Sequence, residues 1–140
     1  MYIRTMLAGT IRNTISLLPE AIVFNDEGQD VDFRVESDNL THAFFIEGST
    51  GNIGVGTSTP TSYSNYADNL VVAGASQTGI TIASADSSQS GLYFADGTSG
   101  TAGYVGYIDY NHASEYMAFG TGSGTERLRI TGDGDLLLGA

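Results

Sequence analysis

The chain contains no cysteine, which removes both a disulfide framework and any thiolate metal site. It has no tryptophan, and proline occurs only at Pro19 and Pro60. Its five basic residues are all arginine, so there is no lysine for a phosphate-binding P-loop. Against them stand 16 acidic residues, giving a formal net charge of −11. A surface this negative repels phosphate backbones and anionic lipid, so neither nucleic-acid binding nor membrane insertion is expected. No apolar run reaches the length needed to cross a bilayer. The apolar residues of Met1 to Leu18 are broken by Arg12, Asn13 and Thr14, so this stretch lacks the central apolar block of an export signal. It reads instead as an attachment or assembly segment.

What the chain does have is glycine, at 19 of its 140 positions, with abundant Ser and Thr. Eight Tyr and six Phe argue against disorder. Many short strands joined by small residues fit this composition better than bundled helices. So small a glycine-rich unit buries little surface alone, and no cross-link compensates, so oligomerisation is expected to complete the core.

The clearest internal signal is Gly51-Asn52-Ile53-Gly54-Val55-Gly56, with a relaxed copy in Gly134-Asp135-Leu136-Leu137-Leu138-Gly139, 83 residues later. In each, a turn-forming pair opens a brief apolar segment, as at a strand reversal. Glycine at 51 and 134 is expected to supply positive φ. Between these points the chain breaks every 8–12 residues, as an all-β design requires. Val31, Phe33 and Val35 alternate with Asp32, Arg34 and Glu36, predicting a half-buried strand. Further strands are predicted at 21–24, 43–47, 53–55, 70–72, 79–83, 91–95, 103–110, 115–119, 127–130 and 136–138. Asp96-Gly97 signals a hairpin, and Gly106 is a candidate bulge. The resulting organisation is an N-terminal segment over 1–20, a first β module over 21–60 and a second over 61–140. The second carries the terminal repeat of the Gly-Asn/Asp turn. The connector between modules falls across Gly56 to Asn65, where Pro60 cannot donate to a central ladder.

No catalytic, cofactor-binding or metal residue is assigned, because each candidate has a simpler reading. His42 and His112 lack the H-E-x-x-H spacing of a helical zinc site and read as exposed or interface side chains. Asp26, Glu27, Asp30 and Asp32 could offer oxygen ligands to calcium, but do not follow the EF-hand pattern and read as a solvated acidic edge. Asp133 and Asp135 make a weaker version. Asp109 and Glu115 flank tyrosines in a way that evokes paired glycosidase carboxylates, whose separation is a tertiary property. Ser99 and Ser123 lie between glycines rather than in G-x-S-x-G. Gly120 to Gly124 leads towards a strand and reads as a tight turn. Tyr93, Tyr104, Tyr107, Tyr110 and Tyr116 combine apolar area with a polar tip, suited to packing between subunits or stacking on a sugar face.

The chain resembles tail-fibre and related virion structural proteins of tailed bacteriophages. The residues that carry the resemblance are Val23 to Asp38, Gly51 to Pro60, Gly79 to Ala83, Leu92 to Thr98 and Glu126 to Ile130, in that order. The resemblance implies an all-β, short-strand modular fold in an elongated, intertwined homotrimer, located in the virion tail or tail fibre. It implies a noncatalytic structural role in host attachment, with other virion proteins and a bacterial surface glycan or receptor as partners. The self-cleaving chaperone of long relatives is not carried over, since no Ser/Lys cleavage pair is present. The alternative function is a carbohydrate-binding adhesion module contacting the bacterial surface.

Overall fold

The computed structural model describes residues 2–7, 10–25 and 28–139, with side chains from Ile15 onward. Apart from two short 3-10 segments, every regular element is a strand: the described chain is all-β, in several sheets of short strands. It separates into two compact units, 1–80 and 81–140.

In the first unit, β1 (Tyr2–Leu7), β2 (Thr10–Leu17) and β3 (Ile22–Phe24) form an antiparallel three-stranded sheet. The segment read as an attachment region thus contributes the β1–β2 pair, with a register shift between Ile3 and Arg4. Asn25 and Gly28 turn the chain with positive φ of 59° each, and Gly28 N–H donates to the Asn25 carbonyl at 2.9 Å. A four-stranded sheet follows, ordered β4 (Phe33–Ser37), β5 (Leu40–Ile46), β6 (Ile53–Val55) and β7 (Leu70–Val72). The first three strands run antiparallel, whereas β7 joins β6 in parallel. A parallel pair cannot be closed by a tight turn, so the chain crosses over between them. The crossover is the Gly56–Asn65 stretch read as an inter-module connector. It carries a 3-10 turn over Pro60–Ser62, with Pro60 buried outside any ladder. Register places Arg34, Phe45, Gly54 and Val71 in one row, of which Phe45 and Val71 are buried at 3% and 7% exposure. The opposite row, Phe33, Ile46, Ile53 and Leu70, is also apolar but lies half-open to solvent. Phe33 meets Phe24 at 5.3 Å and Phe44 at 6.4 Å between ring centroids, in the tilted and edge-on geometries aromatic quadrupoles favour.

The second unit is one antiparallel sheet of five strands, ordered β12-β11-β10-β9-β8. These are β8 (Gln89–Phe94), β9 (Gly106–Asn111), β10 (Tyr116–Thr121), β11 (Thr125–Ile130) and β12 (Leu136–Leu138). The Asp96-Gly97 signal does not make a two-residue hairpin. Both amides donate to the Ala102 carbonyl, at 3.0 and 3.1 Å, closing a wider loop that holds a 3-10 turn at Gly100–Tyr104. Gly106 pairs with Phe94 in regular register, and the bulge falls between Phe119 and Gly120 instead, leaving Arg127 as the extra residue. Within the Gly120 to Gly124 stretch, Gly120 and Thr121 end β10 and Gly122 to Gly124 make the tight β10–β11 turn, with φ of 61°, 68° and 79° at Gly122, Ser123 and Gly124. The predicted strand at 79–83 has no regular structure and pairs with no strand among the described residues.

The sequence repeat places two similar turns, which differ by one residue in length and in the position of the capping threonine. Glu47 N–H donates to the Asn52 carbonyl and Thr131 N–H to the Asp135 carbonyl, each at 3.0 Å. The Asn52 and Asp135 amides then donate to threonine hydroxyls, Thr50 at 3.2 Å and Thr131 at 3.0 Å. Each turn opens a three-residue strand that returns antiparallel, β5 to β6 and β11 to β12. Each strand ends at a glycine of positive φ, Gly56 (80°) or Gly139 (71°). Gly51 and Gly134 hold φ of 77° and 90° with open space where a Cβ would project. Gly51→Val and Gly134→Val are therefore expected to cost about 1–3 kcal/mol each through backbone strain without a clash. Thermal denaturation checks this, and unchanged midpoints in both variants would refute it.

Candidate functional site

Alternation along the strands gives the five-stranded sheet two unlike faces. One carries the row Leu92, Ile108, Phe119, Leu128 and Leu138, one residue from each strand in direct register. Beside it run Tyr110, Met117, Ile130 and Leu136. Leu92 is 55% exposed and Leu138 76%. An open hollow of about 540 Å³ continues this face between Phe94, Ile108 and Phe119. No second layer of the described residues in this unit covers these side chains, although they have the character of a core.

The other face gathers the polar aromatic residues. Its central row is Gly91, Asp109, Ala118 and Arg129, flanked by Tyr93, Tyr107 and Gly120 on one side and Gln89, Asn111 and Tyr116 on the other. The small residues beside Asp109 are required by close approach: a Cβ at Gly91 would stand 2.8 Å from the Asp109 Cβ. Gly120 likewise leaves room for the Tyr107 ring, which occupies the place of a side chain there. Tyr93 and Tyr107 rings lie 6.2 Å apart, and the Arg129 guanidinium sits 3.8 Å above the Tyr116 ring centroid. Arg129 also grips Glu126 bidentately, Nε donating to Oε1 at 2.8 Å and Nη2 to Oε2 at 2.7 Å. The Glu126 hydrogen bond holds the Arg129 guanidinium more firmly protonated than usual.

Asp109 sits under this cluster at 8% exposure, and its Oδ1 has no hydrogen-bond partner among the described residues. Burial pushes its pKa up, Glu126 pushes the same way, and Arg129 opposes them. The Tyr107 hydroxyl is raised as well, first by burial and then by Asp109 and Glu126. A carboxyl whose folded pKa is raised binds its proton more tightly folded than unfolded. Its contribution is therefore favourable at acid pH and lost as pH rises from about 3.9 through the folded pKa. Asp109→Asn is expected to raise the melting temperature at pH 7, with the gain shrinking as pH falls through the raised folded pKa and gone below about 3.9. Calorimetry across that range checks the sign. A loss of stability at pH 7 would instead make Asp109 a net stabilising partner of Arg129.

The remaining candidates are dispersed. Glu115 is exposed on the β9–β10 turn with φ of 53°, beyond the end of the ladder and away from Asp109. Asp26 and Glu27 lie outside the described residues. Asp30 is exposed, and Asp32 Oδ1 accepts the Gly48 N–H at 3.0 Å, so it serves the loop between β5 and β6. No cluster of three potential metal ligands occurs among the described residues. Asp133 and Asp135 lie in the exposed repeat turn. His42 is half-buried, its Nδ1 3.0 Å from Thr41 Oγ1 and its ring edge-on to Phe45. Ser99 is exposed and Ser123 is in the β10–β11 turn. Tyr104 packs over Gly124, and Tyr110 meets His112 edge-on at 4.9 Å.

One pair escaped the sequence reading. Ser90 Oγ lies 3.2 Å from His112 Nε2, joined across 22 positions by the β8–β9 register. A serine nucleophile needs a histidine that is itself oriented, and no carboxylate hydrogen-bonds this imidazole among the described residues. The pair is a cross-strand polar contact, and nothing local in the sequence signals it.

These geometries define a class: an all-β chain of short-stranded sheets, with apolar rows open to solvent and one polar aromatic face. No protein-family model, curated protein or solved structure matches the chain.

Proposed function

We propose that the chain is a noncatalytic structural component of a phage tail fibre or fibre-like appendage, assembled as an elongated homotrimer that positions host-recognition elements. The observation that carries this reading is the apolar row Leu92, Ile108, Phe119, Leu128 and Leu138, half-buried at its centre and exposed at both ends, with no second layer of described residues in its own unit. Burying one such leucine is worth about 1.5–3 kcal/mol, so a face of this kind favours association with a like surface. Three copies converging on a three-fold axis would each supply one wall of a common core. The resemblance in the sequence supplies the setting, the virion tail with other virion proteins as neighbours. Electron microscopy of the purified protein tests the form: elongated three-fold particles are expected, and compact single-chain particles would refute it.

A second reading, a carbohydrate-binding adhesion module, is favoured by the polar face. Tyr93, Tyr107 and Tyr116 beside Glu126 and Arg129 offer rings for stacking and charged groups for hydroxyls. Under the leading reading these tyrosines serve the assembly. Selective glycan binding that disappears in Tyr93→Ala, while assembly is retained, would move the assignment to adhesion. Turnover of a surface polysaccharide by the intact assembly would overturn both.

A further inference from the structure

The unpaired segment Gly79–Ala83 is a copy of β7 and its surroundings. Leu70-Val71-Val72-Ala73-Gly74-Ala75 aligns with Ile80-Thr81-Ile82-Ala83-Ser84-Ala85 at an offset of ten residues, with an apolar, β-branched core and matching small residues after it. In the first unit, β7 lies parallel to β6, pairing Leu70 with Ile53, Val71 with Gly54 and Val72 with Val55. Two hydrogen bonds close its ends, Ile53 N–H to the Asn69 carbonyl and Ala73 N–H to the Val55 carbonyl, each at 2.9 Å. In the second unit the equivalent of β6 is β12, which is an edge strand. Its outer side carries no strand among the described residues, and Leu136, Leu137 and Leu138 are all exposed. The chain thus carries a second β6 without its β7 and a second β7 without its β6.

They cannot meet within one chain. Ser88 is pinned beside β8, its carbonyl accepting His112 N–H and its own N–H donating to Ala85, each at 3.0 Å. β8 and β12 occupy opposite edges of the sheet, so a strand outside β12 lies about 24 Å from β8, at about 4.8 Å per strand. Even fully extended, the five residues from Ser88 back to Ala83 span only about 17 Å.

We infer that Gly79–Ala83 of one copy adds as a parallel strand to the free edge of β12 in a second copy of this chain, in the register β7 uses on β6. Thr81 then lies opposite Leu137, with Ile80 and Ile82 extending the apolar face next to Leu136 and Leu138. Main-chain bonds supply the attraction, and the alternating side chains set the register. Donor edge and acceptor edge are different surfaces, so the contact is heterologous and closes when copies form a ring. The inference rests on the proposed self-assembly and adds its strand exchange.

Two measurements on the full chain test it. The chain has no cysteine of its own, so Thr81→Cys with Leu137→Cys is a clean pair. Mild oxidation is expected to give disulfide-linked multimers, while each single variant stays unlinked or dimeric. Amide exchange at residues 80–83 and 136–138 is expected to slow about 100-fold or more on assembly. A chain that assembles yet leaves these amides unprotected and the pair unlinked overturns the strand exchange alone. A chain that stays monomeric overturns both it and the proposed assembly. Protection already complete in a dilute monomer would assign 79–83 to its own β8 edge and overturn the inference as well.

Discussion

Leu92→Asp and Leu138→Asp, made singly, are each expected to abolish assembly while leaving the five-stranded sheet folded. The two residues stand at opposite ends of the apolar row, 55% and 76% exposed in the single chain. A charge there costs the isolated unit little, because it stays in water. In an assembled core the same charge would be buried without a partner, a penalty large enough to exceed the about 1.5–3 kcal/mol that the leucine contributes. Each symmetric contact repeats the loss, so the effect multiplies across copies. Light scattering should report a fall to the single-chain mass, with far-ultraviolet circular dichroism unchanged. Retained assembly in both variants would show that this face is not the contact.

The second large effect is expected at Gly120. The Tyr107 ring occupies the space of its missing side chain, where burial first, and Asp109 and Glu126 after it, raise the pKa of the tyrosine hydroxyl. Gly120→Val must expel that ring or shift β10 against β9, where Gly120 pairs with Tyr107 itself. Overpacking of this kind costs about 1–3 kcal/mol, and more where backbone must move. Ring loss also strips the Tyr93 contact. The variant is expected to lose most of the stability of the second unit, visible as early unfolding of residues 81–140 by hydrogen exchange. Gly120→Val combined with Tyr107→Gly vacates the space and should recover much of the loss. No recovery would place the cause in the backbone rather than the ring.

Much of the fold was legible because it is local. Alternation at Phe33 and Val35, and the Gly51 and Gly134 turns, are written in neighbouring residues, and a strand and the positive φ values follow. Which face is buried is not local: Val31 falls outside the strand, Val35 is exposed, and the row that holds buried Phe45 and Val71 is the one Arg34 joins. Partnership is not local. Gly79–Ala83 has the alternation of a strand, yet a strand exists only beside another, and the single chain provides none within its ladders. Asp96-Gly97 has the turn chemistry of a hairpin, but both amides select Ala102, five or six residues on, and a larger loop forms. The bulge went to Arg127 rather than Gly106, because the β10–β11 turn fixes register at Thr121 and Thr125 and the mismatch is absorbed next to it. The polar face is half visible in the sequence: its tyrosines stand out there, but Asp109 with Arg129 and Glu126 comes together only through cross-strand register. The same holds for Ser90 and His112.

The mass of the folded protein in solution is the most direct test of this account. Light scattering over a broad concentration range is expected to give about three times the 14.7 kDa chain mass. A folded protein holding the single-chain mass throughout that range would contradict it.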